Sequence, residues 1–149
     1  MKRYLIALLA LTLLGSAAGL SQTAGDLQKK YGPPDASGRY TVRPGIGLTV
    51  RPDESGNARE VTIKPIDSSA DATGRASKKA PVMNPGVARE VLDEVAPASK
   101  RGQYEGAGNA EFGCASVDHL RYENVLISIS NRCHQQGGGT YSINIRWKR

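Results

Sequence analysis

Residues 125–147, VLISISNRCHQQGGGTYSINIRW, decide the fold, because two runs of alternating apolar and polar side chains flank a glycine-rich segment. The apolar positions fall two residues apart, the spacing of side chains that share one face of a strand. They are Val125, Ile127 and Ile129 in the first run, and Tyr141, Ile143, Ile145 and Trp147 in the second. Glycines 137 to 139 indicate a hairpin turn rather than a phosphate-binding loop, since a strand pattern and not a helix follows them. The stretch predicts an antiparallel hairpin with one buried face.

Further strands and one helix precede this hairpin. Period-two alternation over residues 39–43 predicts a strand, and residues 46–64 predict a hairpin around a turn at 52–58. Asn84 as N-cap, Pro85 at the first helical position and Pro97 after the last turn bound a helix. Its residues Arg89 and Asp93, four apart, predict an ion pair on the solvent side. The sequence therefore predicts an α+β fold: an antiparallel sheet of about four to five strands, in the order hairpin, helix, hairpin, packed on one face by a single main helix.

The N-terminal residues have the pattern of a secretory signal peptide. Lys2 and Arg3 precede an apolar stretch over residues 4–14, and small residues follow it. We expect residues 1–19 to be the leader, with cleavage between about residues 18 and 25, and no stable membrane span in the mature chain, because a span needs about 20 apolar residues. Residues 20–38 are expected to be a flexible segment and residues 39–149 a single domain with a mobile loop at 66–82. The predicted location is periplasmic or secreted.

The chain contains two cysteines, Cys114 and Cys133. In an exported chain an even cysteine count predicts a disulfide. The strand expected over residues 124–130 leads toward Cys133, so Cys114 can reach bonding distance only if residues 114–123 run back alongside it. The pair therefore predicts a hairpin or an antiparallel helix–strand pair in this region.

The charge of the chain is mildly basic. Without Lys2 and Arg3, 18 basic residues stand against 14 acidic ones. The outward face of the last strand presents Asn144, Arg146 and Lys148, with Arg149 after them, and the first strand offers Arg39 and Arg43. If these two strands were neighbours, the sheet would have a cationic face suited to an anionic envelope component or an acidic protein. Nucleic acid is not an expected partner, because the chain has few aromatic residues and no recognition motif.

Candidate catalytic and metal-binding groups are few. Asp118–His119 and Cys133–His134 lie near the predicted disulfide, but no paired-ligand spacing accompanies them, so no metal or other cofactor is predicted. Ser116, His119 and Asp118 could form a triad only if near-adjacent residues converged on one atom. Paired carboxylates drawn from Glu90, Asp93 and Glu94 lie on one helix, where solvated charge is the ordinary role. The sequence therefore predicts a protein that is not an enzyme.

Several short motifs resemble those of known proteins. They are YTVRPGIGLTV at 40–50, VTI at 61–63, VLDEVAP at 91–97, Gly113–Cys114, YENV at 122–125 and IRWK at 145–148. Together they resemble a group of small exported bacterial proteins of unassigned function, which implies an exported α+β domain and no activity. The order of strand, glycine turn, strand, helix and proline is also similar to the C-terminal domain of TonB-type energy transducers. This resemblance implies only the fold, because we expect the apolar leader to be cleaved rather than kept as an anchor and see no long Pro-rich spacer in the sequence.

Three functions therefore remain open. The first is a non-enzymatic exported protein that binds a partner or envelope component through its basic sheet face. The second is an accessory domain of envelope assembly or transport with a TonB-like fold. The third is a small secreted hydrolase, which would require titratable groups that converge in a pocket.

Overall fold

A computed structural model describes residues 22–66, 81–133 and 138–148. The predicted signal peptide, most of the predicted loop at 66–82, His134 and Arg149 lie outside the described residues.

The described residues form one antiparallel sheet of seven strands with three short helices. In chain order the elements are α1 (Ala24–Tyr31), β1 (Arg39–Arg43), β2 (Ile46–Pro52), β3 (Ala58–Pro65), α2 (Pro85–Val95), α3 (Ala98–Arg101), β4 (Tyr104–Phe112), β5 (Ala115–Tyr122), β6 (Val125–Arg132) and β7 (Gly139–Trp147). The strand order across the sheet is β1-β2-β3-β7-β6-β5-β4. The α+β class and the antiparallel sheet agree with the sequence, but the predicted four to five strands are too few. The last strand of the chain lies at the centre, where it joins the two halves of the sheet.

Both predicted hairpins are present in the register that their apolar alternation requires. In the β2–β3 hairpin, Leu48 pairs with Ile63. In the β6–β7 hairpin, Ile127 pairs with Ile145 and Ile129 with Ile143. Because paired residues point to the same face, these apolar side chains form one continuous layer, which we call the inner face.

Helix α2 begins where the sequence predicts and packs on the inner face. The Asn84 side chain caps it by accepting hydrogen bonds from the backbone N–H groups of Gly86 and Val87 at 2.9 and 3.4 Å. Its buried residues are Ala88, Val91, Leu92 and Val95, which join the apolar residues of the sheet in one core. Strands β4 and β5 contain no buried residue. The inner face is therefore covered over β1, β2, β3, β7 and the first half of β6, partly covered over β5, where Leu120 and Tyr122 pack against the core, and open over β4.

Residues 24–31, in the segment expected to be flexible, form helix α1. Thr23 and Asp26 make a reciprocal capping box, in which each side chain accepts a hydrogen bond from the other's backbone N–H group at 3.1 Å. The Leu27 side chain is completely buried in the same core as α2. The single apolar anchor and the cap together account for an ordered helix in a segment whose other residues are polar.

Glu94 on α2 joins three elements at the edge of the core. Its carboxylate accepts a hydrogen bond from the Tyr31 hydroxyl at 2.7 Å and forms ion pairs with Lys30 at 2.9 Å and Arg43 at 2.5 Å. Burial raises the pKa of Glu94, but these three donors outweigh it and hold the pKa at about 2, below its ordinary value of 4.5. The folded protein therefore favours the ionised carboxylate.

This ionised carboxylate predicts a loss of stability in acid. Because the folded-state pKa of Glu94 is depressed, its contribution is present above pH 4.5 and is lost as the pH falls to about 2. We expect Glu94→Gln to lower the free energy of unfolding by about 2 to 3 kcal/mol at neutral pH, and the deficit to shrink toward zero near pH 2. Urea titrations of both proteins between these limits would measure it. A deficit that stays constant across that range would contradict the assignment.

The predicted disulfide is present. Cys114 and Cys133 are bonded, with their Cα atoms 5.3 Å apart, and the Cys133 N–H group donates to the Cys114 carbonyl oxygen at 2.9 Å. The bond closes the open end of the β5–β6 hairpin, beyond the last paired residues Ala115 and Arg132. Residues 114–123 thus run back alongside the following strand, in the hairpin form of the two predicted arrangements. A disulfide is typical of an oxidising, exported location.

Candidate functional site

The face of the sheet opposite the core is open, and we call it the outer face. A row of paired residues crosses it through all seven strands: Arg39, Thr49, Thr62, Asn144, Ser128, His119 and Gly108. Thr62 Oγ1 donates to Asn144 Oδ1 at 2.9 Å, and His119 Nδ1 lies 2.9 Å from Ser128 Oγ. The centre of the outer face is therefore a band of hydroxyl, amide and imidazole groups.

A second row on this face concentrates positive charge. Arg51 on β2 pairs with Glu60, Glu60 with Arg146 on β7, Arg146 with Leu126, and Leu126 with Arg121 on β5. We call Arg51, Arg146 and Arg121 the arginine row. Glu60 forms ion pairs with Arg51 at 3.6 Å and Arg146 at 3.8 Å, while the side chains of these arginines are 80% and 63% exposed. Such long, solvated ion pairs are weak, so the guanidinium groups stay available to an external ligand.

The structure brings only part of the predicted basic set together. Asn144 and Arg146 lie at the centre of the outer face, and Lys148 follows them at the end of β7, where its ammonium group pairs with Glu105 at 2.8 Å. The premise that the first and last strands are neighbours is wrong, because β2 and β3 lie between β1 and β7. The basic face is consequently centred on β7 rather than shared between β7 and β1.

The two predicted arginines of β1 contribute little to this face. Arg39 lies across Gly47 at the edge of the sheet and pairs with Asp35 at 3.0 Å. Arg43 follows an irregularity in the β1–β2 register and contacts Glu94 of α2, on the side of the core. The irregularity takes Arg43 out of the alternation that the sequence predicted for it.

Sequence reasoning missed two members of the arginine row, Arg51 and Arg121. The alternation of β2 places Arg51 opposite the buried residues, and the same argument applies to Arg121 between Leu120 and Tyr122. What the sequence did not supply is the strand order, which brings β2 and β5 into line with Arg146.

The candidate catalytic residues do not converge. Asp118 pairs with Ile129 on the inner face, while its neighbour His119 lies on the outer face against Ser128. A triad of Ser116, His119 and Asp118 therefore cannot form. On α2, Glu94 is held by Lys30, Tyr31 and Arg43, and Asp93 pairs with Arg101 instead of the predicted Arg89. In residues 22–66, 81–133 and 138–148, no group of three His, Cys, Asp or Glu residues is placed to hold a metal ion.

The described part of the chain contains no helix that is both long enough and apolar enough to cross a membrane. Comparison with family models, curated proteins and solved structures finds no match. The resemblances drawn from the short sequence motifs therefore stay predictions.

Proposed function

We propose that this chain is a non-enzymatic exported binding protein whose outer face binds an anionic polymer of the cell envelope. The observation that carries the proposal is the arginine row. Its members lie on β2, β7 and β5, two strands apart in each case, so their backbones are spaced by about 10 Å along one line. A line of regularly spaced guanidinium groups suits an extended ligand that repeats its negative charges.

The chemistry of the neighbouring row supports the same class of ligand. Thr49, Ser128 and Asn144 line the outer face beside the arginine row and offer hydroxyl and amide groups. An acidic polysaccharide carries hydroxyl groups between its charged groups, and these can exchange hydrogen bonds with such a band. An acidic protein is the competing ligand.

The test is the loss of binding when the arginine row is neutralised. We expect the double variant Arg121→Gln/Arg146→Gln to bind acidic galacturonate oligomers about tenfold more weakly than the unmodified protein, and with less dependence on salt. Calorimetric titration would measure both effects. The matched control is Lys29→Gln/Lys100→Gln, which removes the same charge from the helices.

Two results would contradict the proposal. The first is equal weakening by the control variant, because the effect would then follow net charge rather than the face. The second is unchanged binding by the double arginine variant. Binding of a polyglutamate peptide but not of the galacturonate oligomers would assign the face to an acidic protein instead.

A further inference from the structure

A groove lies on the inner face beside α2, where the helix no longer covers the sheet. It has a volume of about 440 Å³ and is lined by Arg89 of α2, Ala107 of β4, Asp118 and Leu120 of β5, and Ile129 of β6. A smaller cavity of about 150 Å³ continues from it under α2 and shares Arg89, Asp118 and Ile129. The larger volume falls in the range of about 300 to 1,000 Å³ that is usual for small-ligand sites. The groove combines an apolar surface with two opposite charges.

Asp118 is held in this groove by two amides. Asn109 Nδ2 donates to one carboxylate oxygen at 2.6 Å, and Asn131 Nδ2 donates to the other at 2.9 Å. Thr140 Oγ1 in turn donates to Asn131 Oδ1 at 3.1 Å, which fixes the amide so that its N–H groups point toward Asp118. Both donors set the orientation of the carboxylate. The Asp118 side chain is therefore fixed in place.

Arg89 lines the same groove from α2. The sequence predicts that it pairs with Asp93, but Asp93 pairs with Arg101. Arg101 is buried and is itself fixed, because its Nε donates to the Ala96 carbonyl oxygen at 2.6 Å and its guanidinium lies over the Tyr122 ring. Among the described residues, none forms an ion pair with Arg89, and Asp118 does not reach it. The groove thus holds a guanidinium and a carboxylate that do not neutralise each other.

We propose that this groove binds a small zwitterion with an apolar side chain, namely a free apolar amino acid or a dipeptide. Arg89 binds the carboxylate of the ligand, and Asp118 accepts hydrogen bonds from its ammonium group. Leu120 and Ile129, which are half-buried and next to the core, take the apolar side chain. This site lies on the other face of the sheet from the arginine row, so it goes beyond the proposed polymer binding and does not depend on it.

The proposal is tested first with ligands that differ only in charge. Leucine and leucyl-leucine carry both charges, N-acetyl-leucine carries only the carboxylate, leucinamide only the ammonium, and N-acetyl-leucinamide neither. We expect the better of the two zwitterions to bind about tenfold more tightly than each singly charged analogue, as followed by NMR titration up to about 10 mM. The spacing of Arg89 and Asp118 decides whether the amino acid or the dipeptide binds better. No binding by either zwitterion, or equal binding by the uncharged analogue, would overturn the proposal.

Two variants then test which residue of the groove binds each charged group of the ligand. Arg89→Gln is expected to weaken leucine or leucyl-leucine about tenfold and to leave leucinamide unchanged, because leucinamide has no carboxylate. Asp118→Asn is expected to weaken binding of the same zwitterion about tenfold and to leave binding of N-acetyl-leucine unchanged, because N-acetyl-leucine has no ammonium group. Glu90→Gln, on the same helix outside the groove, is the control and should bind as the unmodified protein does. Since Arg89 is exposed, its variant keeps the test valid even where Asp118→Asn disturbs the fold. Unchanged zwitterion binding by Arg89→Gln would refute the site.

Discussion

Replacing Ile145 with alanine is expected to lower the free energy of unfolding by about 3 to 4 kcal/mol, the usual loss when a large aliphatic side chain is removed from a core. Ile145 is completely buried. It lies on β7 between Val61 of β3 and Ile127 of β6, so it contacts both halves of the sheet. Because β7 alone joins the strands β1–β3 to the strands β4–β6, a cavity at this position weakens the junction of the two halves.

A matched substitution shows whether the loss is specific to this junction or is the general effect of replacing an isoleucine with alanine. Ile129 lies on the same face, paired with Ile143, but it is only half-buried because it borders the open part of the inner face. We expect Ile129→Ala to cost about 1 to 2 kcal/mol, since less apolar surface leaves the core. Urea unfolding of both variants with the disulfide intact gives the comparison. A loss at Ile145 no larger than that at Ile129 would contradict the central role of β7.

The elements with a strong hydrophobic period could be predicted from the sequence. The β2–β3 and β6–β7 hairpins follow from their period-two alternation, and α2 follows from its Asn84 cap and its bounding prolines. These segments bury most of one face, so their apolar side chains recur with a regular period that can be seen in the sequence itself. The disulfide could be predicted for a different reason, because the chain has two cysteines and the expected export favours their oxidation.

Strand β4 could not be predicted, because nothing in it is buried. Its sequence YEGAGNAEF has two glycines and no β-branched residue, and its ladder to β5 is held by backbone hydrogen bonds at the sheet edge. Tyr104 and Phe112 at its ends are 55% and 68% exposed. A strand that forms because it pairs with the next strand, and not because it buries an apolar face, leaves no recognisable pattern in its own sequence. Helix α1 has little apolar pattern as well, since Leu27 is its one buried residue, and its local signal is the capping box of Thr23 and Asp26.

The outer face shows the same division between local and global information. The alternation of each strand correctly assigns Asn144 and Arg146 to the polar face. It cannot show that Arg51 and Arg121, which are 70 positions apart in the chain, stand in line with Arg146 on that face, because the order of the strands sets this. Nor can it show that Glu94 takes Arg43 away from the face. The sequence predicts on which face of its strand a charged side chain lies, whereas the ion-pair partners of that side chain can be identified only from the fold.

Loss of the disulfide is expected to cost about 3 kcal/mol, in the range for a closed loop of about 20 residues, because an open chain gains conformational entropy when it unfolds. The variant that tests it is Cys114→Ser/Cys133→Ser, which leaves no unpaired thiol. The Cys114–Cys133 bond clamps the β5–β6 hairpin at the end farthest from its turn. Urea unfolding measures the loss, and the unmodified protein treated with a reductant should fall to the same stability. The serine variant should not respond to reductant.

The loss of stability caused by removing the disulfide should be concentrated in the half of the sheet that contains β4 and β5. Strands β4 and β5 contain no buried residue, and only Leu120 and Tyr122 of β5 pack against the core. Backbone pairing and the disulfide therefore carry a larger share of their stability than in β2 and β3, which contribute buried core residues. Amide hydrogen exchange in the serine variant is therefore expected to accelerate in β4 and β5 well before it does in β2 and β3. Uniform acceleration in all strands would contradict this view. Arg121 and Asp118 both lie on β5. The same variant should therefore also weaken the binding proposed for each face, through disorder of the strand that presents these residues.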